Sequence, residues 1–450
     1  MRMTDSEKSF WKKIPFVKTP PAFDLFWTLI LVPLWWILGI RFAVFHVLAI
    51  LMAAKTIQRK KQRREKCSFP SEGWWLLAFA GIYFLSLLIN LSGTPSSRVL
   101  ASLNNFSFWI LGWVIIWIIA NNITQKNVTC WLKAARILGL FTAVFVLISM
   151  MYGLFIERSF KITSLLGVVL PDSLFQTISE KAPLLKHSLV PRIIAPTLIF
   201  KKWVPRPVGF NVYGTALGAT LFILIALTWA GYKQSGQKKG KAVVLFLQGA
   251  ALVLSFSRIA VLGFILAAVL IFLVIHLRKR TVHICFACFC LALIVFVAVI
   301  SPQKVYKTVS DFRKGSTSFR IQLYGMTLEK ALKKPILGYG YKPRPEDLPV
   351  PVGSHSMYVG ILYKTGFAGS AVFLFFWAVV IRRWWLDRTL YGRDKHPGPL
   401  WSATGTALIG GLFWMLTEDL DAPPLTAFLF FLVVGIILSR HVLKEVSKEK

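Results

Sequence analysis

The chain has 450 residues, of which 56% are apolar, with 36 Phe, 17 Trp and a mean hydropathy of +0.61. That is more hydrophobic surface than one water-soluble core of this length buries, which excludes an ordinary soluble enzyme and points to a polytopic membrane protein. The formal net charge of +34, from 53 Lys and Arg against 19 Asp and Glu, then calls for membrane sidedness or an anionic partner as its reason.

Residues 1–23 are polar and basic, include Pro20 and Pro21, and show no cleavable-signal pattern. Beyond them, apolar runs close to the roughly 20 residues that cross about 30 Å of hydrocarbon recur along the chain. The predicted spans are 24–39, 41–54, 74–92, 104–122, 136–155, 211–231, 242–256, 259–277, 281–300, 356–381, 399–417 and 425–439. Two long connections interrupt them, 156–210 and 301–354. The expected architecture is an all-α polytopic membrane protein with about twelve transmembrane helices, a single integral membrane domain over 1–450. Alternate connections, namely 1–23, 55–66, 122–136, 232–241, 278–280, 382–396 and 440–450, hold 31 of the Lys and Arg residues, whereas the short connections between them hold almost none. The positive-inside rule therefore predicts both termini in the cytoplasm and the two long loops on the extracytoplasmic face. Those loops carry 8 and 10 Lys/Arg against 3 and 4 acids, a basic excess suited to an acidic glycan or a diphosphate.

Some conspicuous features have plain readings. The run KTIQRKKQRREK at 55–66 resembles a nucleic-acid patch, but no aromatic interleaving accompanies it; it reads as a cytoplasmic topology anchor touching anionic lipid, and no nucleic-acid partner is expected. Cys285, Cys288 and Cys290 lie inside an apolar span without His or acid neighbours, so packing is expected rather than metal binding. The sequon at Asn127 falls on the predicted cytoplasmic side. No metal site and no cofactor are expected.

The unusual polar residues sort onto the predicted outer boundary. Arg206 and Asn211, in RPVGFNVYG, sit where the first long loop enters the sixth span. Asn211 could instead simply cap that helix. Arg258, in SFSRIAVLG, interrupts a continuous apolar stretch, where a charge is costly enough to suggest a functional partner rather than a mere turn residue. Arg320 heads a run in which Ile321, Tyr324, Leu328 and Leu332 follow helical spacing until Pro335, which also fits the polar end of an interfacial helix. His355 follows Gly353-Ser354 at the mouth of a span, as a titratable base or a structural histidine. Glu418, Asp419 and Asp421 occupy the last outer loop, as rival carboxylates or a solvated turn.

Four segments resemble, in order, those of the O-antigen ligase and polymerase family of bacterial surface-glycan assembly, over roughly 200–440. RPVGFNVYGTAL is similar to the family's Arg/Gly/Asn approach to a central helix, SFSRIAVL to its Ser-Arg turn, and FRIQLYGMTLEKALKKPILGYG to its Arg-aromatic element ending in Pro-x-x-Gly-x-Gly. SHSMYVGILYKTGFAG resembles the His segment, with Gly366 and Gly369 after His355 and with Ser356 where the family often has Asn. The resemblance implies a lipid-dependent GT-C-like fold and a metal-independent, inverting glycosyltransferase in the bacterial cytoplasmic membrane. Its donor would be a glycan on undecaprenyl pyrophosphate, its acceptor a glycan or lipid-linked sugar hydroxyl, and its product an O-antigen, capsular or teichuronic-type polysaccharide. Arg258 and Arg320 would stabilise the leaving diphosphate, His355 would take the acceptor's proton, and Arg206, Asn211, Glu418 and Asp419 would contact substrate. A lipid-linked glycan transporter is the competing class; it predicts paired repeats or midplane polar breaks.

Overall fold

The computed structural model describes residues 21–199, 202–237, 239–276, 316–345, 350–389 and 398–448. The basic residues 1–20, the predicted span 281–300 with its cysteines, and parts of the second long loop lie outside them. Every other predicted span coincides with helix. The first run forms two short pieces, α1 (Pro21–Ile30) and α2 (Val32–Leu38), where Pro33 has no N–H to continue the ladder. There follow α3 (Arg41–Gln62), α4 (Gly73–Ile89), α5 (Ser96–Asn122) and α6 (Gln125–Phe155). The C-terminal half supplies α10 (Gly214–Ser235), α11 (Lys241–Leu254), α12 (Arg258–His276), α13 (Ser316–Lys333), α14 (Met357–Thr389), α15 (Pro399–Trp414) and α16 (Pro424–Lys448). Among the described residues six helices are long and apolar enough to cross a membrane, with shorter apolar helices beside them. Large apolar side chains remain exposed on the outside, among them Phe155, Phe246 and Phe272, as lipid-facing surface requires.

The helix α10 is the central post. Sixteen of its 22 residues are buried, consistent with a sequence apolar on every face, and it packs against α6, α11, α12 and α15. Around it α16 packs on α5, and α14 on α4.

The all-α expectation requires one correction. Between α6 and α10 the first long loop contains β1 (Phe160–Lys161), the short helices α7 (Leu165–Val169), α8 (Asp172–Lys181) and α9 (Pro183–Leu189), and an antiparallel hairpin of β2 (Arg192–Ile199) and β3 (Lys202–Pro207). The β2–β3 register runs from Ile194 opposite Pro207 to Ile199 opposite Lys202.

Side-chain contacts group the connections as the charge pattern predicts. On one face Ser68 N donates to Asn121 Oδ1 at 2.9 Å, Arg136 Nη1 to Gln237 Oε1 at 2.8 Å, and Arg383 pairs with Glu72 at 3.9 Å. On the other, Arg98 donates to the Lys342 carbonyl at 3.4 Å, Asn90 to that of Gly338 at 3.2 Å, and Arg206 to that of Ser255 at 2.8 Å.

A break inside α14 shapes this second face. At Gly366 the backbone turns to φ 61°, ψ −164°, opening the helix. The segment Pro335–Gly340 fills the gap. Tyr339 N donates to the Tyr363 carbonyl at 3.0 Å and Gly340 N to that of Lys364 at 2.8 Å, while Phe367 N and Ala368 N donate to the carbonyls of Pro335 and Ile336 at 2.6 and 3.1 Å. Non-helical backbone among apolar helices is tolerated only when its polar groups are satisfied in this way. The glycines follow from it: a Cβ on Gly366 would lie 2.3 Å from Ile336 O, and one on Gly338 2.5 Å from Tyr363 O. Gly366→Ala is therefore expected to abolish the monodisperse folded peak in size-exclusion chromatography, whereas Gly249→Ala, where a Cβ meets open space, should leave that peak in place.

Candidate active site

The second face gathers charged groups from three parts of the chain. Helix α13 ends at Lys333, because Pro335 disfavours helical backbone at Lys334. It buries Leu323, Thr327 and Ala331, not the Ile321/Leu328/Leu332 stripe that predicted it; that stripe stays exposed. Thr327 Oγ1 accepts from Gly353 N at 3.1 Å, and the Tyr324 hydroxyl donates to the His355 carbonyl. These two bonds clamp the loop carrying His355 onto α13. Within that loop Gly353 and His355 both take positive φ, 80° and 64°. Such a conformation is strained for a non-glycine residue and clusters at functional sites. Ser356 accepts from Val359 N at 3.4 Å, so it closes the first turn of α14.

The loop between α15 and α16 supplies the opposing carboxylates, each with its own cation. Arg320 Nη2 reaches Glu418 Oε1 at 3.2 Å, Lys342 Nζ reaches Asp419 Oδ2 at 2.9 Å, and Lys364 Nζ reaches Asp421 Oδ2 at 2.6 Å. The last pair is fully buried, with the Lys364 ammonium 4.7 Å from the Tyr83 ring centre. The solvated-turn reading of 418–421 is thereby overturned: Glu418 and Asp421 are buried.

The cluster tunes its members. Burial pushes the Glu418 carboxyl up to about 7, against the pull of the Arg320 guanidinium. Burial also raises Asp419, but Lys342 and Lys364 overcome it and hold the carboxylate below its ordinary range. Burial lowers the His355 imidazole to about 4, helped by Arg320 and Lys342 and opposed by Asp419. At neutral pH His355 is an unprotonated base next to a guanidinium.

The remaining sequence candidates are placed as follows. Arg206, on β3, donates Nε to the Ser255 carbonyl at 2.8 Å and is felt electrostatically at Glu418. Arg258 opens α12 directly after that Ser255 turn and is exposed. Asn211 lies beneath the site and does not cap α10. Its Oδ1 accepts from the hydroxyls of Thr220 and Thr426 at 3.0 and 3.3 Å, and its carbonyl accepts from Arg41 Nη1 at 2.8 Å.

Lys364, Lys342 and Arg41 were not singled out by the sequence reading. Arg41 is buried and bridges the carbonyls of Asn211 and His187, tying the α2–α3 turn to the first long loop. A signal did exist: Lys364 and Arg41 each stand inside or at the edge of an apolar span, where a charge implies a partner.

The segment from α11 into α14, residues 242–374, matches the family model Wzy_C, described as O-antigen ligase. That stretch is similar to the family over less than a third of the chain. No curated protein matches the chain. The matched segment holds Arg258, Arg320, His355, Lys342 and Lys364; Arg206 and the 418–421 loop bond to it from outside the match, and Asn211 lies outside it as well. The protein is mostly helical, and the apolar helices among the described residues make it a multi-pass membrane protein.

Proposed function

We propose that the protein is an inverting, metal-independent glycosyltransferase. It moves a glycan from undecaprenyl pyrophosphate to an acceptor sugar hydroxyl at the extracytoplasmic face of the bacterial cytoplasmic membrane, both termini lying inside. The observation that carries this reading is the meeting of a neutral His355 with the partly exposed Arg320 and the carboxylates of 418–421 on one boundary of the helical body. The acceptor oxygen attacks the anomeric carbon, its proton passes to His355, and the bond from that carbon to the diphosphate oxygen breaks. Arg320 and Arg258, with Arg206 in support, hold the diphosphate as its charge grows; guanidinium forks match phosphate oxygens bidentately. Glu418 pairs with Arg320, and the diphosphate would take the place of that carboxylate. Lys342 and Lys364 pin the carboxylate loop beneath. Chain polymerisation, in which the acceptor is a further carrier-linked repeat, is favoured over ligation to lipid A core because that role exists in bacteria with or without an outer membrane.

The test is transfer by purified protein in EDTA, using polyprenyl-diphosphate-linked oligosaccharides and several acceptors, with products resolved by mass. Lengthened or transferred glycan is expected, reduced on the order of 100-fold or more in folded Arg320→Ala and Arg258→Ala proteins. Absence of transfer with every donor and acceptor pair, or indifference to both substitutions, would overturn the reading.

A further inference from the structure

A second basic recess lies beside this site, walled by the hairpin of the first long loop. Its volume is about 290 Å³, and it is lined by His187, Arg192, Thr197, Arg206 and Tyr213, with backbone and apolar residues completing the wall and no acidic side chain among the described residues that line it. The hairpin register sets Arg206 opposite Ala195, three residues along β2 from Arg192. The carbonyl of His187 is held by the buried Arg41, which fixes that wall to α3. His187 itself stays neutral: burial, then Arg41, Arg192, Lys186 and Lys161, lower it to about 4, which reports a dense positive field. The cleft adjoins the proposed reaction centre through Tyr213, whose hydroxyl donates to the Asp419 carbonyl at 3.5 Å. None of Arg258, Arg320 or His355 lines it.

We infer that this cleft is a second anion subsite that receives the carboxylate of an acidic sugar, so that the glycan handled by the protein contains a uronic acid. The inference rests on the glycosyltransferase reading for its context, but the binding it asserts does not depend on turnover. The diphosphate must sit at the bond that breaks, where Arg320 and His355 are; an anion at Arg192 belongs to another part of the substrate. The volume lies near the lower end of small-ligand pockets, roughly 300 Å³, which suits a single sugar ring rather than a lipid tail. A guanidinium fork with a neighbouring imidazole and hydroxyl matches a planar carboxylate.

The test measures binding by the detergent-solubilised full chain of a glucuronate-containing tetrasaccharide, of the same tetrasaccharide with its carboxyls reduced to alcohols, and of inorganic diphosphate. The acidic form is expected to bind at least tenfold more tightly than the reduced form. Arg192→Gln should erase that difference and leave diphosphate affinity unchanged. Arg192 is exposed, so the variant removes no core packing, and an unchanged thermal midpoint checks this. Equal binding or no binding of the two tetrasaccharides overturns the inference, as does a loss of diphosphate affinity in Arg192→Gln, which would make the cleft the diphosphate site. Absent transfer together with intact, Arg192-dependent acidic binding would sink the transferase reading and leave the subsite standing.

Discussion

Replacing Lys364 with methionine is expected to destabilise the protein by about 3–5 kcal/mol, the usual cost of leaving one member of a buried ion pair uncompensated. Lys364 and Asp421 are at most 1% exposed and 2.6 Å apart, so no water can take over the lost partner. Truncating Asp421 alone, as Asp421→Leu, should cost about as much, since the ammonium would keep only the Tyr83 ring and the longer-range pull of Asp419. The double variant Lys364→Met/Asp421→Leu should recover most of the loss, because a buried pair replaced by packed apolar groups is often neutral or stabilising. Thermal unfolding of the four proteins in one detergent makes the cycle. Equal midpoints across all four would show that the pair contributes nothing to holding the carboxylate loop.

His355→Ala is expected to lower transfer by about 100- to 10,000-fold without loss of fold, the range associated with a general base. Stability should hold or rise slightly when His355 is replaced by glycine, because a φ of 64° suits glycine better than histidine. The pH dependence separates the proposed base from its neighbour. With His355 lowered to about 4, the kcat/KM profile of the free enzyme should stay flat from neutrality down to about pH 5 and fall through its imidazole pKa below that. If Glu418 were the base, activity would already be halving near pH 7, where its carboxyl takes up a proton. Stability follows linkage with its own sign. The unfolded histidine takes up a proton near its ordinary 6.5 while the folded one resists until about 4, so His355 costs stability progressively as pH falls through that window. An acid limb near 7 that persists in His355→Gln would transfer the role to Glu418.

Much of the helical body was legible because continuous apolar runs have one main interpretation at membrane length. The grouping of loops onto two faces was legible from Lys and Arg alone. The hairpin at 192–207 was not, since Pro196, Pro205 and Pro207 punctuate what is otherwise a β-branched pattern and argue against a strand. Helix α13 was found for a reason that its packing does not share. Its long side chains gave the periodic signal, yet the small and medium residues Leu323, Thr327 and Ala331 make the buried face. At the site, Arg320, His355, Glu418 and Asp419 could be singled out as polar residues at helix mouths. Their pairing could not, because Lys342 and Lys364 come from a loop and from a helix interior whose meeting depends on the opening at Gly366.

That opening has a consequence for engineering. The turn 335–340 and the unwound turn 363–368 exchange backbone bonds in both directions, so they form one cassette although they are separated in sequence. A chimaera that imports either half alone from a homologue would bring mismatched backbone partners to the junction. Recombination points should fall outside 316–374, whereas the three-stranded sheet of β1, β2 and β3, whose backbone pairing stays within the first long loop, can be swapped as one piece to retarget the protein.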